Sequence, residues 1–470
     1  MLVEHIKQNI LKNLKIEPTS DQTKFINKLS EFILPTNKTS VFLLTGYAGT
    51  GKTTVISAFV NTLKQFKQKS LLITPTGRAA KVISAYSKKP AYTIHKKIYR
   101  QKASNDDFGK FLLGENLYTD TIFIVDEASM ISNNATGSIF GSGRLLDDLF
   151  RFVFSGERCK LIIIGDVAQL PPVKSNLSPA LDKNELESYG FDVTHVNLTE
   201  VVRQAQESGI LNNATNIRRK ITLKETGFPK IDVNNYPDIH KVSGEDLIEE
   251  ITSSYDNFGS ENTIIVTRSN KRANLFNQGI RNSVLYQEEE ISTGDYLMIV
   301  KNNYFWLEPN KNTDFIANGD IVRITRIGKY EELYGYRFAN IDIQFIDYPE
   351  LEISTKIILD TLNIETASLS SEANKEFYYK VAEDYADIKN KKKRFEEIRK
   401  NPYFNALQVK FAYAVTCHKA QGGQWENVFI DHGYITDDDA NTEFLRWLYT
   451  AFTRATKNLY LVNFKKEFFE

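Results

Sequence analysis

The sequence predicts an α/β protein made of two doubly wound units, each a parallel sheet with flanking helices. Two sets of short β-branched and aliphatic runs alternate with helical patterns, which is typical of buried parallel strands. The chain has 470 residues, enough for about three domains. The runs are residues 41–44, 71–74, 122–125, 161–164 and 196–198 in the first set, and 263–267, 411–416, 427–430 and 458–464 in the second.

Two insertions are predicted within these units. Residues 294–350 alternate like a small β-barrel, and residues 370–400 have the pattern of a charged helix, so we place an inserted subdomain at 291–400. A smaller polar insertion at 87–120 separates the second and third strands of the first unit. The first unit then covers residues 1–200, and the second covers 201–290 together with 401–470.

Composition limits the class of protein. The chain has 59 Lys and Arg against 59 Asp and Glu and is 41% hydrophobic, which excludes a disordered or collagen-like chain. Cys159 and Cys417 are too few for a disulfide framework and argue against a zinc site, so we expect a reducing, cytoplasmic location. The N-terminus lacks a signal-peptide core and no run of about 20 apolar residues occurs, so no membrane partner is expected.

A phosphate-binding loop follows the first strand. TGYAGTGKTT matches G-x-x-x-x-G-K-[ST] and stands between a strand and a helical pattern. In such a loop the backbone N–H groups wrap the β-phosphate, Lys52 reaches the β- and γ-oxygens, and Thr53 can ligate Mg²⁺. ATP and Mg²⁺ are therefore the expected nucleotide and metal. The predicted ATP-binding residues of this loop are Gly46, Tyr47, Ala48, Gly49, Thr50, Gly51, Lys52, Thr53 and Thr54.

Two further polar segments follow strands of the first unit. Asp126 and Glu127 come directly after an apolar strand, where Asp126 would hold Mg²⁺ and Glu127 would polarise the attacking water. By itself, such an acidic pair is more commonly a helix N-cap. The next strand delivers Gly165, Asp166 and Gln169 to the same sheet edge, and Gln169 could sense the γ-phosphate or be a solvated loop residue.

An ordered series of motifs resembles that of superfamily 1 helicases. Within the superfamily the chain is most similar to the RecD/Dda branch, which implies two RecA-like P-loop domains, the second of the UvrD-like C-terminal type. The resemblance also implies 5′→3′ translocation on single-stranded DNA and unwinding in replication, recombination or repair. The motifs are TPTGRAA (74–80), TIH (93–95), DEAS (126–129), GDVAQLPPV (165–173), LTEVVRQ (198–204), VTCHKAQGGQWENV (415–428) and YTAFTRA (449–455).

Hydrolysis of ATP needs a positively charged group beside the γ-phosphate, which stabilises its negative charge in the transition state. Arg203 and Arg454 are candidates, because both lie in motifs of the resemblance and could close over the nucleotide from the facing unit. The alternative for either is an ordinary surface salt bridge. Gln22 resembles the glutamine that reads adenine in these enzymes, and the resemblance also assigns Gly422 to the ATP site.

The resemblance implies a DNA track as well. The small insertion corresponds to a strand-separating pin, whose hydrophobic tip Phe108, Phe111 and Leu112 could supply. The alternative is that these residues pack the insertion onto its parent domain. The large insertion corresponds to an SH3-like barrel that clamps DNA. Its basic run, Lys391 to Arg394, is interpreted first as a solvated helix face, and the alternative is that it contacts DNA phosphates. The predicted DNA-binding residues are Pro75, Thr76, Arg78, Thr93, His95, Thr416, His418 and Lys419.

The main hypothesis is therefore an ATP-dependent 5′→3′ DNA helicase. Its expected partners are single-stranded DNA and duplex junctions, with a single-stranded-DNA-binding or replisome protein as a further candidate, and it is expected to act as a monomer. Two alternatives stay open at this point. One is a helicase of the same superfamily that acts on RNA or RNA–DNA hybrids, and the other is a nucleotide-gated DNA-binding ATPase that does not unwind.

Overall fold

The computed structural model describes residues 2–34, 39–101, 111–133, 140–172, 175, 177–202, 207–307 and 315–469. Its helices are α1 (Leu2–Leu14), α2 (Ser20–Phe32), α3 (Lys52–Gln65), α4 (Gly77–Ser87), α5 (Ile94–Ile98), α6 (Leu145–Ser155), α7 (Lys183–Ser188), α8 (Gly209–Leu223), α9 (Leu247–Phe258), α10 (Asn270–Ser283), α11 (Ser371–Glu383), α12 (Lys391–Lys400), α13 (Cys417–Ala420) and α14 (Thr442–Phe452). Its strands are β1 (Ser40–Gly46), β2 (Lys69–Thr74), β3 (Ala91–Thr93), β4 (Tyr99–Gln101), β5 (Phe111–Leu113), β6 (Thr121–Val125), β7 (Lys160–Gly165), β8 (Asp192–Leu198), β9 (Ile239–Val242), β10 (Thr263–Thr267), β11 (Tyr296–Ile299), β12 (Ile321–Leu333), β13 (Tyr336–Phe345), β14 (Glu352–Ile358), β15 (Leu407–Phe411), β16 (Ala414–Thr416), β17 (Trp425–Asp431) and β18 (Ala455–Val462).

The first motor-like unit is built on a six-stranded parallel sheet in the order β3-β2-β6-β7-β1-β8. Alternate side chains of β1 enter two different cores, with Phe42 and Leu44 on one face and Val41 and Leu43 on the other. Because helices cover both faces, every residue of β1 is buried, which is why the strand is a continuous apolar run in the sequence. This confirms the predicted α/β fold.

The second unit has a five-stranded parallel sheet in the order β16-β10-β17-β18-β9. Strand β9 was not predicted, since its four residues, IHKV, include two polar side chains and no long apolar run. The predicted strand at 411–416 is in fact divided. Phe411 ends β15, and Ala414 begins β16 after only two intervening residues.

A closed barrel of β11 to β15 stands beside the second sheet. Its fifth strand lies beyond residue 400, where the predicted insertion ends, and it pairs with both β11 and β14. The single charged helix predicted at 370–400 is two helices, α11 and α12, which bury Phe377, Val381 and Ile398 against the barrel residue Phe338. Within the described ranges, no helix is long and apolar enough to cross a membrane.

Candidate nucleotide site and interdomain interface

The P-loop connects β1 to α3 in the conformation that its sequence requires. Gly49 and Gly51 have φ angles of +75° and +77°, in the left-handed region that glycine adopts most easily. A Cβ on Gly51 would lie 2.5 Å from Nε2 of Gln22, so a side chain there would displace the Gln22 amide. The Lys52 ammonium donates to the carbonyl oxygens of Gly46 and Tyr47, each at 2.8 Å. The loop thus gathers backbone N–H groups and a lysine at one helix N-terminus, which is the chemistry of a phosphate site.

Gln22 of α2 hydrogen-bonds to the backbone of this loop. Its Nε2 donates to the Thr50 carbonyl at 2.9 Å, and its Oε1 accepts from the Thr19 N–H at 3.1 Å in the capping box of α2. The side chain is fully buried, so both ends of its amide are engaged by the protein. The structure gives Gln22 a role in holding the P-loop, and adenine recognition stays a prediction.

The acidic pair lies where β6 ends. The Asp126 N–H donates to the Ile73 carbonyl, and Asp126 Oδ1 accepts from the Glu127 N–H at 2.8 Å. Glu127 has a φ of +55°, and such left-handed backbone in a non-glycine residue is costly and clusters at active sites. Burial and the neighbouring Glu127 carboxylate raise the pKa of Asp126, and the Lys52 charge opposes this effect.

These residues fit Mg²⁺. Carboxylate and hydroxyl oxygens are the ligands that Mg²⁺ prefers, and Asp126 offers the first while Thr53, in the first turn of α3, offers the second. A divalent cation beside Asp126 would also offset the cost of burying its carboxylate next to Glu127. Asp126 and Thr53 therefore stay the predicted ligands of the metal.

The loop after β7 is bonded to the second unit. Asp166 is buried, and its Oδ2 accepts from the Tyr449 hydroxyl at 2.6 Å while its Oδ1 accepts from the Ala168 N–H at 2.9 Å. Gln169, the predicted γ-phosphate sensor, is 6% exposed. Its Oε1 is buried without a hydrogen-bond partner among the described atoms.

Helix α14 supplies most of the second unit's contacts to this loop. The Leu170 N–H donates to Thr450 Oγ1 at 2.8 Å, and Arg446 Nη1 donates to the carbonyls of Val167 and Gln169. From the segment after α13, Gln421 Nε2 donates to the Leu170 carbonyl at 2.8 Å. The two units are joined here by side chains that bind backbone groups, which fixes their relative position closely.

The same face of the second unit also covers the P-loop. The Ala48 N–H donates to the Tyr449 hydroxyl at 2.9 Å. In α8, the Arg218 guanidinium carbon lies 4.1 Å from the centre of the Tyr47 ring, and Leu211 would lie 3.2 Å from a Cβ on Gly49. Sequence reasoning did not single out Tyr449, Thr450 or Gln421, although they stand inside quoted motifs and this could have drawn attention to them.

Of the two arginines predicted to contact the γ-phosphate, the structure describes one. Arg203 lies outside the described residues. Arg454 is 3% exposed, and its three guanidinium nitrogens donate to Thr450 O at 3.0 Å, Gly423 O at 3.2 Å and Thr453 Oγ1 at 3.1 Å. All three acceptors belong to the second unit, so contact with a γ-phosphate would require Arg454 to leave them. Contact of Arg454 with the γ-phosphate stays a prediction.

Known protein families match both units. A model described as an AAA domain matches residues 31–175, and a model described as a UvrD-like helicase C-terminal domain matches residues 411–462. An uncharacterized protein of Acanthamoeba polyphaga mimivirus is 26% identical over 92% of this chain and 97% of its own length. The RecBCD enzyme subunit RecD of Buchnera aphidicola is 24% identical over 98% of this chain and 75% of its own length. The ATP-dependent RecD2 DNA helicase of Deinococcus radiodurans is 28% identical over 37% of this chain and 21% of its own length.

These matches support a superfamily 1 helicase of the RecD branch. The chain is accordingly an ATP-hydrolysing helicase enzyme, with two RecA-like motor domains as its two α/β units. The P-loop, the acidic pair and the loop after β7 lie in the first motor domain, and α8 and α14 lie in the second.

The helicase brings residues of the predicted DNA track together across its domains. The Arg78 guanidinium carbon lies 4.0 Å from the centre of the Trp425 ring, so a residue after β2 contacts the second motor domain. A Cβ on Gly422 would lie 2.9 Å from Thr76 Oγ1, which places Gly422 against the start of α4 in this interface. Its assignment to ATP binding stays a prediction. Lys419 Nζ donates to Asn318 Oδ1 of the barrel segment.

Other residues of the predicted track have local structural roles. Thr76 caps α4 by accepting from the Ala79 N–H at 3.3 Å, and Thr93 caps α5 by accepting from the Lys96 N–H at 3.2 Å. His95 packs edge-to-face on Phe140 with ring centres 4.8 Å apart, and burial lowers the pKa of His95 to about 4. Among the remaining members, Pro75 and Thr416 are half-buried and His418 is exposed.

A cavity of about 920 Å³ separates α4, β3 and α5 of the first motor domain from the barrel. The ion pair between Lys81 Nζ and Asp347 Oδ1, at 3.0 Å, spans this gap. The lining combines aromatic, basic and acidic side chains. They include Tyr92, Lys81, Lys96, Phe315, Phe345, Tyr348, Asp320, Asp347 and Glu350.

The predicted pin begins and ends in a two-stranded antiparallel ribbon of β4 and β5. Phe108 lies outside the described residues. Phe111 is 8% exposed, with its ring centre 4.3 Å from that of Tyr304 and 4.9 Å from that of Phe140. Leu112 is 39% exposed. Phe111 therefore packs the ribbon against Tyr304 and Phe140. The prediction that Phe111 lies at the exposed tip of the pin is wrong, because its side chain is buried.

In α12, the basic run of the predicted insertion divides into two kinds of residue. Arg394 donates to the carbonyls of Ile388 and Ala386, at 3.0 and 3.2 Å, and so closes the turn before its own helix. Lys391 and Lys393 are exposed. Lys391 and Lys393 are thus presented to solvent, and a phosphate contact stays a prediction.

Proposed function

We propose that this helicase moves 5′→3′ along single-stranded DNA and unwinds duplex DNA, using ATP hydrolysed between its two motor domains. The observation that carries the proposal is the meeting of three parts of the chain at the predicted track. Arg78 of the first motor domain contacts Trp425 of the second, and Lys419 of the second contacts Asn318 beside the barrel. A strand held at this junction would contact both motor domains at once.

The cavity beside this junction has suitable chemistry for single-stranded nucleic acid. Aromatic rings such as Tyr92 and Tyr348 can stack bases, and Lys81 and Lys96 can contact phosphates. The similarity to the Deinococcus RecD2 DNA helicase supports DNA as the substrate. The direction of movement rests on the motif resemblance to the RecD/Dda branch.

At the nucleotide, the residues divide the work. Lys52 and the P-loop N–H groups bind the phosphates, and Glu127 orients and polarises the attacking water. Mg²⁺ held by Asp126 and Thr53 would supply charge neutralisation at the β- and γ-oxygens. Arg454 and Arg203 are the proposed sources of positive charge at the γ-phosphate from outside the P-loop.

The test is strand displacement with two matched duplexes, one carrying a 5′ single-stranded tail and the other a 3′ tail. We expect ATP-dependent displacement from the 5′-tailed duplex, and none with Lys52→Ala. A preference for the 3′ tail would contradict the direction. ATP hydrolysis without displacement from either duplex would favour the nucleotide-gated ATPase, and displacement only when the tail is RNA would favour the RNA alternative.

A further inference from the structure

One hydroxyl group connects the two motor domains directly over the P-loop. Tyr449 of α14 is 1% exposed, and its hydroxyl donates to Asp166 Oδ2 at 2.6 Å while it accepts from the Ala48 N–H at 2.9 Å. The directions of these bonds are fixed, because the backbone N–H can only donate and the carboxylate can only accept. Burial and the Asp166 charge raise the pKa of Tyr449 well above its ordinary value, so the hydroxyl keeps its proton.

The Ala48 N–H belongs to the group of donors that a P-loop offers to phosphate. A phosphate oxygen and the Tyr449 hydroxyl are both acceptors, and one N–H gives a well-aligned hydrogen bond to only one of them. We propose that the Tyr449 hydroxyl competes with a nucleotide phosphate for the Ala48 N–H, so that Tyr449 is the positioning residue through which P-loop occupancy is transmitted to the second motor domain.

The contacts around Tyr449 show how its movement would spread. The next residue, Thr450, accepts from the Leu170 N–H through its side chain, and its carbonyl accepts from Arg454 Nε at 3.0 Å. One turn earlier, Arg446 donates to the carbonyls of Val167 and Gln169. Release of Ala48 would therefore disturb the same helical turns that hold Arg454 in its present contacts.

This inference rests on ATP hydrolysis by the helicase and is independent of the DNA substrate and of the direction of movement. Its failure is distinguishable from failure of the proposed function, because strand polarity is read from tailed duplexes and this inference is read from ATP alone. The competing explanation is that Tyr449 only fills the interface. Its ring is buried in a hydrophobic cluster to which both motor domains contribute, and Tyr449→Phe keeps that ring.

The chain contains a matched control in Tyr413. Its hydroxyl donates to Asp295 Oδ1 at 2.9 Å and accepts from the Tyr296 N–H at 3.3 Å. Tyr413 is 3% exposed, and Asp295 is buried like Asp166. Removal of this hydroxyl therefore deletes the same two kinds of bond, between the second sheet and the barrel instead of over the P-loop.

The experiment compares Tyr449→Phe and Tyr413→Phe with the unaltered protein in steady-state ATP hydrolysis and in thermal unfolding. We expect Tyr449→Phe to lower KM for ATP by roughly 2- to 10-fold, the range for one neutral hydrogen bond, because the competitor for Ala48 is gone. We expect kcat to fall as well, because binding is no longer transmitted to α14. Tyr413→Phe should lower Tm and leave KM within twofold.

An unchanged or raised KM in Tyr449→Phe, or the same kinetic change in both variants, would overturn the proposal. A measurement on the unaltered protein covers the case in which Tyr449→Phe does not fold. Hydrogen exchange with a non-hydrolysable ATP analogue should show faster exchange in the peptide that covers residues 442–453. Unchanged or slower exchange in that peptide would also contradict the competition.

Discussion

The first motor domain meets the rest of the chain at two interfaces of opposite character. Over the P-loop, α14 and Gln421 hydrogen-bond to backbone groups of residues 167–170. Between the same domain and the barrel lies a cavity of about 920 Å³, and the ion pair of Lys81 with Asp347 spans this cavity. The difference indicates that the two interfaces have different roles. We expect the hydrogen-bonded interface to transmit small displacements and the open interface to take up the nucleic acid strand.

The largest expected effect comes from the hydrogen-bonded side. Lys52→Ala removes the ammonium that we propose binds the nucleotide phosphates, and we expect ATP turnover to fall roughly 100-fold or more. Strand displacement should fall with it, because the open interface has no energy source of its own. Lys64→Ala, at an exposed position of the same helix, is the control and should keep full turnover. Retained turnover in Lys52→Ala would refute the P-loop assignment.

A smaller effect is expected when the interface is loosened and the P-loop is left intact. Arg446→Ala removes the donor to the Val167 and Gln169 carbonyls, and a lost partner for a buried group costs about 1–3 kcal/mol. We expect kcat to drop roughly 10-fold and Tm to fall. Arg272→Ala deletes the ion pair with Asp431, which lies within the second motor domain, and should lower Tm alone. Equal kcat in both variants would show that this interface does not transmit the displacement.

On the open side, Lys81→Asp breaks the ion pair that spans the cavity. The ammonium is half-exposed, so the pair contributes about 0–1 kcal/mol, and we expect single-stranded DNA affinity to fall by no more than about 5-fold. ATP hydrolysis without DNA should be unchanged. The double variant Lys81→Asp/Asp347→Lys should recover most of the affinity, and failure to recover it would show that the pair does not hold the barrel in place.

The prediction with the smallest effect on catalysis is a pH dependence of stability on the open side. Burial raises the pKa of Asp320 to about 7, and Asp347 adds to this while the Ala317 N–H and Lys96 oppose it. The folded state thus favours the protonated acid, so the stabilising effect is complete below about pH 4 and is lost as pH rises through 7. We expect Tm to decline over that interval and Asp320→Asn to flatten the decline. An identical slope in both proteins would exclude Asp320 as its source.

Much of the scaffold could be predicted because its signals are local. Each strand of the first sheet that precedes a phosphate-site residue is a buried apolar run, and the P-loop glycines stand at fixed spacing. Strand β9 escaped prediction because its four residues include His240 and Lys241. The barrel's fifth strand escaped because it merges in the sequence with the first strand residues of the second sheet.

The interface over the P-loop could not be predicted from local pattern. Ala48 and Tyr449 are 401 positions apart, and nothing near either residue indicates that one hydroxyl serves both the P-loop and Asp166. The same applies to Gln22, whose position before the P-loop suggests adenine contact while its amide is taken by Thr19 and Thr50. A motif identifies a residue as functional, and only the folded contacts show which group it binds.

The joint between the barrel and the second sheet has a mechanical consequence. Only two residues separate β15 from β16, and buried Asn277 binds the Phe411 carbonyl, the Ala414 carbonyl and the Ala414 N–H around that joint. Such a short, hydrogen-bonded link restricts torsion between the barrel and the second sheet, so we expect the barrel to move together with the second motor domain. A rotation of that domain over the nucleotide would then displace the barrel wall of the cavity relative to the first domain.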